Sequence, residues 1–361
     1  MSIKEATQEK TFFQRILRPP RYGWADEQGE LVKPTAGQLW KELFHRVNIF
    51  STKKNWAAFS CWMWTLAFAP FFLIFFFQYF TWPLFAVAFL YGMVFMGSYA
   101  TVWYHRFSTH KAFLFKSKIA RFIVRNMSLR FIPEEIYVVS HNVHHGYSEK
   151  PGDPYNAHAG FLYCFFADAT HQPIALDLTE SDYKKVVKMV EHTGIKPNSY
   201  EQYQKWGSIT SPWRHNIMNA CNWLFWYGAF FLLGGHALSM AIFTGACVWA
   251  FGIRTFNYEG HGRGVDRRQE GIDFNTRDIA VNQIWPGFVA GEWHSNHHLY
   301  PNSAQSGFLP YQIDLAWYFI KFLSLFGLAG EIRNSKQQFM DQIYTPFKQG
   351  VATEKSSQQA A

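Results

Sequence analysis

The sequence predicts an all-α integral membrane protein, with four transmembrane helices in two hairpins beneath a cytoplasmic helical cap. Three observations predict it: two long charge-free blocks, a turn signal inside each, and Lys and Arg gathered outside them. None of the fifty residues from Asn55 to Tyr104, and none of the thirty-nine from His215 to Ile253, is Asp, Glu, Lys or Arg. Each block can hold two spans of about 20 apolar residues, the length that crosses a bilayer. Trp- and Phe-dense blocks of this length without a charge suit lipid, not water.

The first block breaks at Thr81, Trp82 and Pro83 and the second at Gly234, Gly235 and His236, so both turns are very short. The expected spans are 57–80, 84–104, 216–234 and 237–254. Lys4, Lys10, Arg15, Arg18, Arg21, Lys33, Lys41, Arg46, Lys53 and Lys54 precede the first block, while neither turn carries a charge. The positive-inside rule therefore puts the N-terminal segment 1–54, the central loop and the C-terminal part on the cytoplasmic side. The first fifty residues are polar and basic with no apolar core, so no cleavable signal peptide is read and the first hairpin is expected to direct insertion.

The membrane domain is expected over 55–345, its cap formed by about 105–214 and 255–345, and 346–361 is read as a disordered tail. Within the cap, Lys118–Val139 and Gln312–Gly330 read as helices on the membrane surface or packed against the spans. Asp314 and Lys321 exclude the second as a fifth span, because each charge near the bilayer centre costs about 2.5 to 3.5 kcal/mol. Cys61, Cys164, Cys221 and Cys247 lack metal-type spacing and read as free core thiols. The net charge of +8 suits anionic headgroups, an acidic electron carrier or a phosphate-bearing substrate. Nucleic acid is excluded as a partner, since no nucleic-acid module accompanies the charge.

Nine of the fifteen histidines form four clusters, all on the predicted cytoplasmic side. His105 follows the second span directly, with His110 five residues on, about 7.5 Å farther along if the helix continues. Alone, such an interfacial pair would be unremarkable. His141-Asn-Val-His144-His145 and His294-Ser-Asn-His297-His298 are two copies of one triplet. On a helix the first and third histidines share a face and the middle one turns about 100° away, so one segment offers two ligands to one ion and a third to a neighbour. Surface histidines with no task would not repeat this spacing. His261 follows the fourth span, and Asn257, four residues earlier, can share its face.

Zinc takes three or four protein ligands, which leaves five or six histidines unexplained for one ion. Magnesium and calcium prefer oxygen, whereas imidazole suits iron, copper, zinc and nickel. Nine imidazoles shared by two ions give four or five each with positions open, and a pair of irons fits best. The Glu-x-x-His motifs of soluble di-iron bundles are missing.

The order His-x4-His, His-x2-His-His, Asn-x3-His, His-x2-His-His, interleaved with two hairpins, resembles the membrane fatty acid desaturase family, in particular acyl-CoA Δ9 (stearoyl-CoA type) desaturases and their bacterial relatives. The likeness covers about residues 50–335 and extends to Tyr147-Ser148-Glu149, Asp153-Pro154 and the Gly291-Glu-Trp-His start of the last box. Tyr258-Glu259 instead resembles the Asn-Tyr-x-Glu-His motif of membrane alkane hydroxylases, with the Glu one place farther from the histidine. The resemblance implies that His105, His110, His141, His144, His145, His261, His294, His297 and His298 hold two irons, with Asn257 reaching one through water. It also implies that O2 is the co-substrate and that the product is a cis double bond, at Δ9, in a long-chain acyl group.

A bent apolar tunnel would hold the chain, closed at its end by Phe89 or Met93, three to four turns above His105. Neither a Cys cluster nor spare length for a haem module is present, so electrons are expected from a separate ferredoxin, rubredoxin or cytochrome b5 type donor with its reductase. The expected location is a bacterial inner membrane, or the endoplasmic reticulum in a eukaryote, with the active site on the cytoplasmic side. The competing readings are a membrane di-iron hydroxylase or epoxidase, and a metal transporter or haem-binding carrier. A transporter would place ionisable groups inside its spans, whereas here the clusters lie outside them. His45, His158, His171, His192, His215 and His236 fit no ligand spacing; His158 and His171 are read as solvated-loop residues near the second box. Arg263, Arg267 and Arg268 read as a basic cytoplasmic face.

Overall fold

The computed structural model describes residues 10–261 and 293–350. Arg263, Arg267, Arg268 and the tail 351–361 lie outside the described residues. The helices run α1 (Phe12–Ile16), α2 (Ala36–Val47), α3 (Lys53–Tyr79), α4 (Trp82–Thr109), α5 (Lys118–Asn126), α6 (Glu134–Tyr147), α7 (Phe161–Phe165), α8 (Ala167–Thr170), α9 (Glu180–Val190), α10 (Tyr200–Trp206), α11 (Pro212–Gly260), α12 (His294–Leu299), α13 (Leu315–Leu325) and α14 (Lys336–Phe339). Against the all-α expectation, Leu114–Phe115 and Ala329–Gly330 pair as a two-residue antiparallel ladder, Leu114 opposite Gly330.

Among the described residues, three helices are long and apolar enough to cross a membrane: α3, α4 and the 49-residue α11. At 1.5 Å per residue a straight α11 would be over twice as long as the roughly 30 Å hydrocarbon core. It is not straight. Gly234 (φ −159°, ψ 23°) and Gly235 (φ 66°, ψ −166°) leave the helical region, and Gly235 takes a positive φ that glycine alone adopts freely. The chain reverses there: the Trp223 and Phe243 rings, twenty residues apart, have centroids 5.4 Å apart, and Ser239 Oγ donates to Tyr227 O at 3.0 Å. The α3–α4 turn is as tight, with Thr81 Oγ1 accepting from Leu84 N at the start of α4.

The two hairpins pack through Phe68, whose ring lies 4.2 Å from Trp223 and 6.1 Å from Phe243, and through a backbone contact between α4 and α11. A Cβ on Gly92 would stand 2.4 Å from Gly245 O, and one on Gly245 would meet Ala88 O. Small residues permit this approach where hydrophobic driving force between helices is weak. Outward from this core, Phe77, Trp82, Leu232 and Leu233 are largely exposed near the two turns, a surface suited to lipid and not to water.

The remaining helices pack over the other end of the hairpins. The N-terminal segment belongs to this cap: Arg15 pairs with Asp182 at 3.0 Å, and Leu17 bridges to Ile174. Inside the cap Arg46 and Glu42 form a buried pair at 2.6 Å. The expected helix over Lys118–Val139 is two: α5 ends at Asn126, and Pro133 N-caps α6. On α5, Ile119, Phe122 and Ile123 are exposed while Ala120 and Val124 are buried, the pattern of a helix lying on a lipid surface. Within Gln312–Gly330 only α13 is helical, started by Asp314, whose carboxylate accepts from Trp317 N at 2.9 Å.

Residues 346–350, the described part of the expected disordered tail 346–361, are helical. Phe347 packs against the cluster of Phe308, Leu309 and Phe339, which supplies the apolar contact that a disordered reading lacked. All four cysteines are free thiols, but Cys221 is exposed and not in a core.

Candidate metal centre

Four segments deliver the nine histidines to one place. His105 lies in the last part of α4, Thr101–Thr109, which is wound as a π-helix. There His110 N donates to His105 O at 3.1 Å, an i→i+5 bond. In a continuing α-helix the two side chains would point about 140° apart. The π ladder brings residue i+5 back over residue i, and their rings stand with centroids 4.8 Å apart. The axial offset expected from an α-helix is replaced by one shared face, and π turns of this kind concentrate at functional sites.

On α6, His141 and His145 are one turn apart with their Nε2 atoms at 3.2 Å; on α12, His294 and His298 repeat the arrangement at 3.1 Å. The middle histidines cross over. His297 reaches His145, Nε2 to Nε2 at 3.0 Å, while the His144 ring faces those of His261 and His298 at 5.0 and 5.1 Å. His141 meets His105 at 2.8 Å and His294 meets His261 at 2.9 Å.

Two adjacent groups result, one of His105, His110, His141, His145 and His297, the other of His144, His261, His294 and His298. Within each group the candidate ligand atoms all lie within 4.8 Å of one another. Two nitrogens bound at right angles to one ion at 2.0–2.1 Å stand about 3 Å apart, which matches the Nε2 separations. Among the described residues, the Nε2 atoms of His110 and His144 are buried with no hydrogen-bond partner, a costly state for a polar nitrogen unless something binds it. This donor set therefore fits a pair of metal ions.

Protonation agrees. Burial, then the neighbouring imidazoles, pushes His110, His141, His294, His297 and His298 far below the usual histidine range and His145 down to about 2. Burial also lowers His261, with Glu149 pulling the other way. For these seven rings the shift favours the neutral form, which is the one that binds metal.

A second layer orients the rings. Asp153, fully buried, accepts from His144 Nδ1 at 2.9 Å, and Glu149 accepts from His261 Nδ1 at 3.0 Å. Tyr155 Oη meets His141 Nδ1 at 3.0 Å. Each contact occupies Nδ1 and leaves Nε2 for an ion. Asp153 also accepts from the backbone N–H groups of Glu149 and Tyr155, at 2.9 and 3.1 Å. Glu149 sits at φ 63°, a region that non-glycine residues rarely occupy. Sequence reading marked Glu149 and Asp153 only as part of a family likeness, and nothing marked Tyr155.

Asn257 lies one turn before His261 and lines a cavity of about 540 Å³ that opens on His105 and His141, beside Ala100, Thr101 and Trp249. A neighbouring cavity of about 590 Å³ shares Ile132, Tyr137, Gln172, Ile253 and Asn257 with it and reaches Cys61, Asp168 and Arg254. Phe89 and Met93 line neither: Phe89 is 42% exposed, and Met93 is buried in the core between the hairpins. His158 stands 3.6 Å from Glu149. His171, read as a solvated-loop residue, is instead fully buried, stacked on Tyr163 at 3.8 Å and hydrogen-bonded to Tyr22.

Residues 80–323, which contain all nine histidines, match the model of the fatty acid desaturase family. Delta-9 acyl-lipid desaturase 1 of Arabidopsis thaliana is 27% identical over 70% of this chain and 76% of its own length. The sn-1 stearoyl-lipid 9-desaturase of Synechocystis is 25% identical over 74% and 75%. The icosanoyl-CoA 5-desaturase of Limnanthes douglasii is 24% identical over 71% and 67%. With its converging histidines and apolar helices, the chain belongs to the fatty acid desaturase family, metal-dependent membrane oxidoreductases that desaturate fatty acyl chains.

Proposed function

We propose that the protein is an O2-dependent acyl desaturase forming a cis double bond at Δ9 in a long saturated chain, with two irons held by the nine histidines. The observation that carries this reading is the division of those histidines into groups of five and four with Nε2 separations near 3 Å. When bound, the irons supply reductive activation of O2 and removal of two hydrogens from adjacent acyl carbons, yielding water. Asp153 and Glu149 hold the Nδ1 protons of His144 and His261, fixing tautomer and ring direction. Asn257 faces the cavity from α11 and is assigned a water-mediated contact to one ion. Ala100, Trp249 and Ile253 give the cavity its apolar wall, which excludes bulk water and aligns the chain beside His105 and His141.

Phe89 and Met93 line neither cavity; they are kept as the residues proposed to limit chain length, and replacing each by Ala should change product length if one of them closes the tunnel. The two halves of α11 and the α3–α4 hairpin are assigned four spans, with the cap and both ends on the cytoplasmic side. Electrons come from a separate ferredoxin, rubredoxin or cytochrome b5 type donor. The test is expression in a host lacking its own Δ9 desaturase but holding a compatible donor, followed by fatty acid profiling with double-bond location and iron analysis. A new cis-Δ9 product and two irons per chain are expected. An added oxygen in place of two lost hydrogens would make the protein a hydroxylase, and unchanged lipids with iron bound would sink the assignment.

A further inference from the structure

The charge-free second block ends at Arg254, and the structure places this residue in a membrane-helix bundle, not in water. Arg254 is 7% exposed. Its Nη2 pairs with Asp168 Oδ2 at 2.5 Å and donates to Thr65 Oγ1 at 2.9 Å; Nη1 donates to Ala250 O. The guanidinium carbon lies 4.8 Å from the centre of the Trp62 ring. Asp168 also accepts from Trp62 Nε1 at 3.0 Å and from Cys61 Sγ at 3.3 Å. The pair therefore sits where α8 of the cap meets α3 and α11.

A buried pair is an expensive way to join three helices, because apolar side chains of similar volume often do so equally well or better. Ionisable groups within membrane helices mark functional sites by default. Here both members line the cavity that adjoins the one opening on His105 and His141. One donor is left over: Arg254 Nε is buried with no hydrogen-bond partner among the described residues. Gln172 and Asn257, both bearing side-chain amides, are among the residues that line the same cavity.

We propose that Arg254, held by Asp168 and assisted by Gln172, seats the ester or thioester carbonyl of the acyl substrate and so sets which carbons lie against the histidines. The inference rests on the acyl-desaturase reading above. Charge selects the ligand chemistry: Asp168 already balances Arg254, so a phosphate or free carboxylate would add uncompensated charge in a low-dielectric site. A neutral carbonyl oxygen accepts from the spare N–H at no such cost. Length is consistent. Arg254 and His261 are seven residues apart, about 10 Å along α11. An extended chain advances about 1.2 Å per bond, a third of the rise per extended residue, so about eight or nine bonds separate the two levels. That spacing suits oxidation near the ninth carbon.

The experiment compares wild type, Arg254→Lys, and the paired Arg254→Met, Asp168→Leu variant, which leaves no unpaired charge. Membrane protein level and bound iron are measured first. Double-bond position is then mapped, and KM is measured on purified protein with acyl-CoA and with acyl-phospholipid. The expected result is normal iron, at least two positional isomers where wild type gives one, and a KM raised about tenfold, the loss of one hydrogen bond to a charged group. A rise for acyl-CoA alone identifies a thioester, and for phospholipid alone an ester.

If the paired variant fails to accumulate, Arg254→Lys decides, because it keeps the charge and loses the Nε donor. Wild-type regiochemistry with KM within twofold in an iron-loaded variant would reduce the pair to a structural tie. A hydroxylated product whose position still shifts would remove the desaturation reading and leave the carbonyl seat standing.

Discussion

The two histidine groups have the same ligand chemistry but different supports. Behind the four-histidine group stand two carboxylates, Asp153 on His144 and Glu149 on His261. Behind the five-histidine group the described contact to His141 is a neutral phenol, Tyr155. Among the contacts described, the group with fewer nitrogens has more negative charge behind it. A carboxylate that accepts an imidazole N–H raises the ring's basicity, whereas a phenol mainly orients it. If each group holds one ion, as proposed, a nearly symmetric pair of triplets gives two chemically unequal positions.

Removing a ligand should break the comparison outright. His110→Ala in one group and His144→Ala in the other are each expected to lower product formation by at least about 100-fold, beyond the loss typical of an outer-layer change. Metal analysis of purified protein should fall from two ions per chain toward one, by selective loss at the mutated group. Equal loss from both groups would show that the two positions fill as a unit.

The next test strikes what the groups share. Helix α6 feeds both and is anchored by Glu134, whose carboxylate meets Arg125 at 2.5 Å, Arg130 at 3.2 Å and Trp103 Nε1 at 3.1 Å. Burial alone would raise its pKa, but Arg125 and Arg130 more than offset this and hold it at about 2 against an ordinary 4.5. A folded pKa below the unfolded one contributes stability that is full above about pH 4.5 and lost as pH falls toward 2, about 3 kcal/mol in all. Glu134→Gln should lower stability at pH 7 by about that amount and flatten its dependence between those pH values. Thermal unfolding in detergent across pH checks both, and metal should leave both groups together.

Smaller changes should separate the groups again. Asp153→Asn is expected to weaken metal binding by about 10- to 100-fold in the four-histidine group only, and Glu149→Gln by about tenfold. Competition with a chelator measures this directly. Tyr155→Phe removes one neutral hydrogen bond and should cost only about 1 kcal/mol, roughly fivefold, in the five-histidine group. A Tyr155→Phe effect as large as that of Asp153→Asn would mean that charge behind the rings is not what distinguishes them.

Much of this was legible in residue order. Charge-free blocks gave the long helices, Gly234–Gly235 gave the reversal, and the i, i+4 relation within each triplet gave the pairing of first with third histidine. Less was legible wherever the cause was not periodic in sequence. The π winding of Thr101–Thr109 depends on which carbonyl accepts a bond and leaves no residue signature, so residue order alone gives His105 and His110 the offset of a continuing α-helix. The partners Asp153, Glu149 and Tyr155 are set by a loop whose path only the fold defines. Arg254 looked like the end of a hydrophobic block, because its partner Asp168 lies 86 residues away. His171 looked like loop polarity until Tyr163 and Tyr22 enclosed it.

The reversals at Phe80–Thr81 and Gly234–Gly235 have a consequence for biogenesis. On the four-span reading, no charged residue lies on the far side of the bilayer, since both turns fall within the blocks that contain none. Nothing hydrophilic of any size has to be translocated during synthesis, and each hairpin can enter the membrane as a single apolar wedge. A protease or a charged label applied from that side would find almost no substrate.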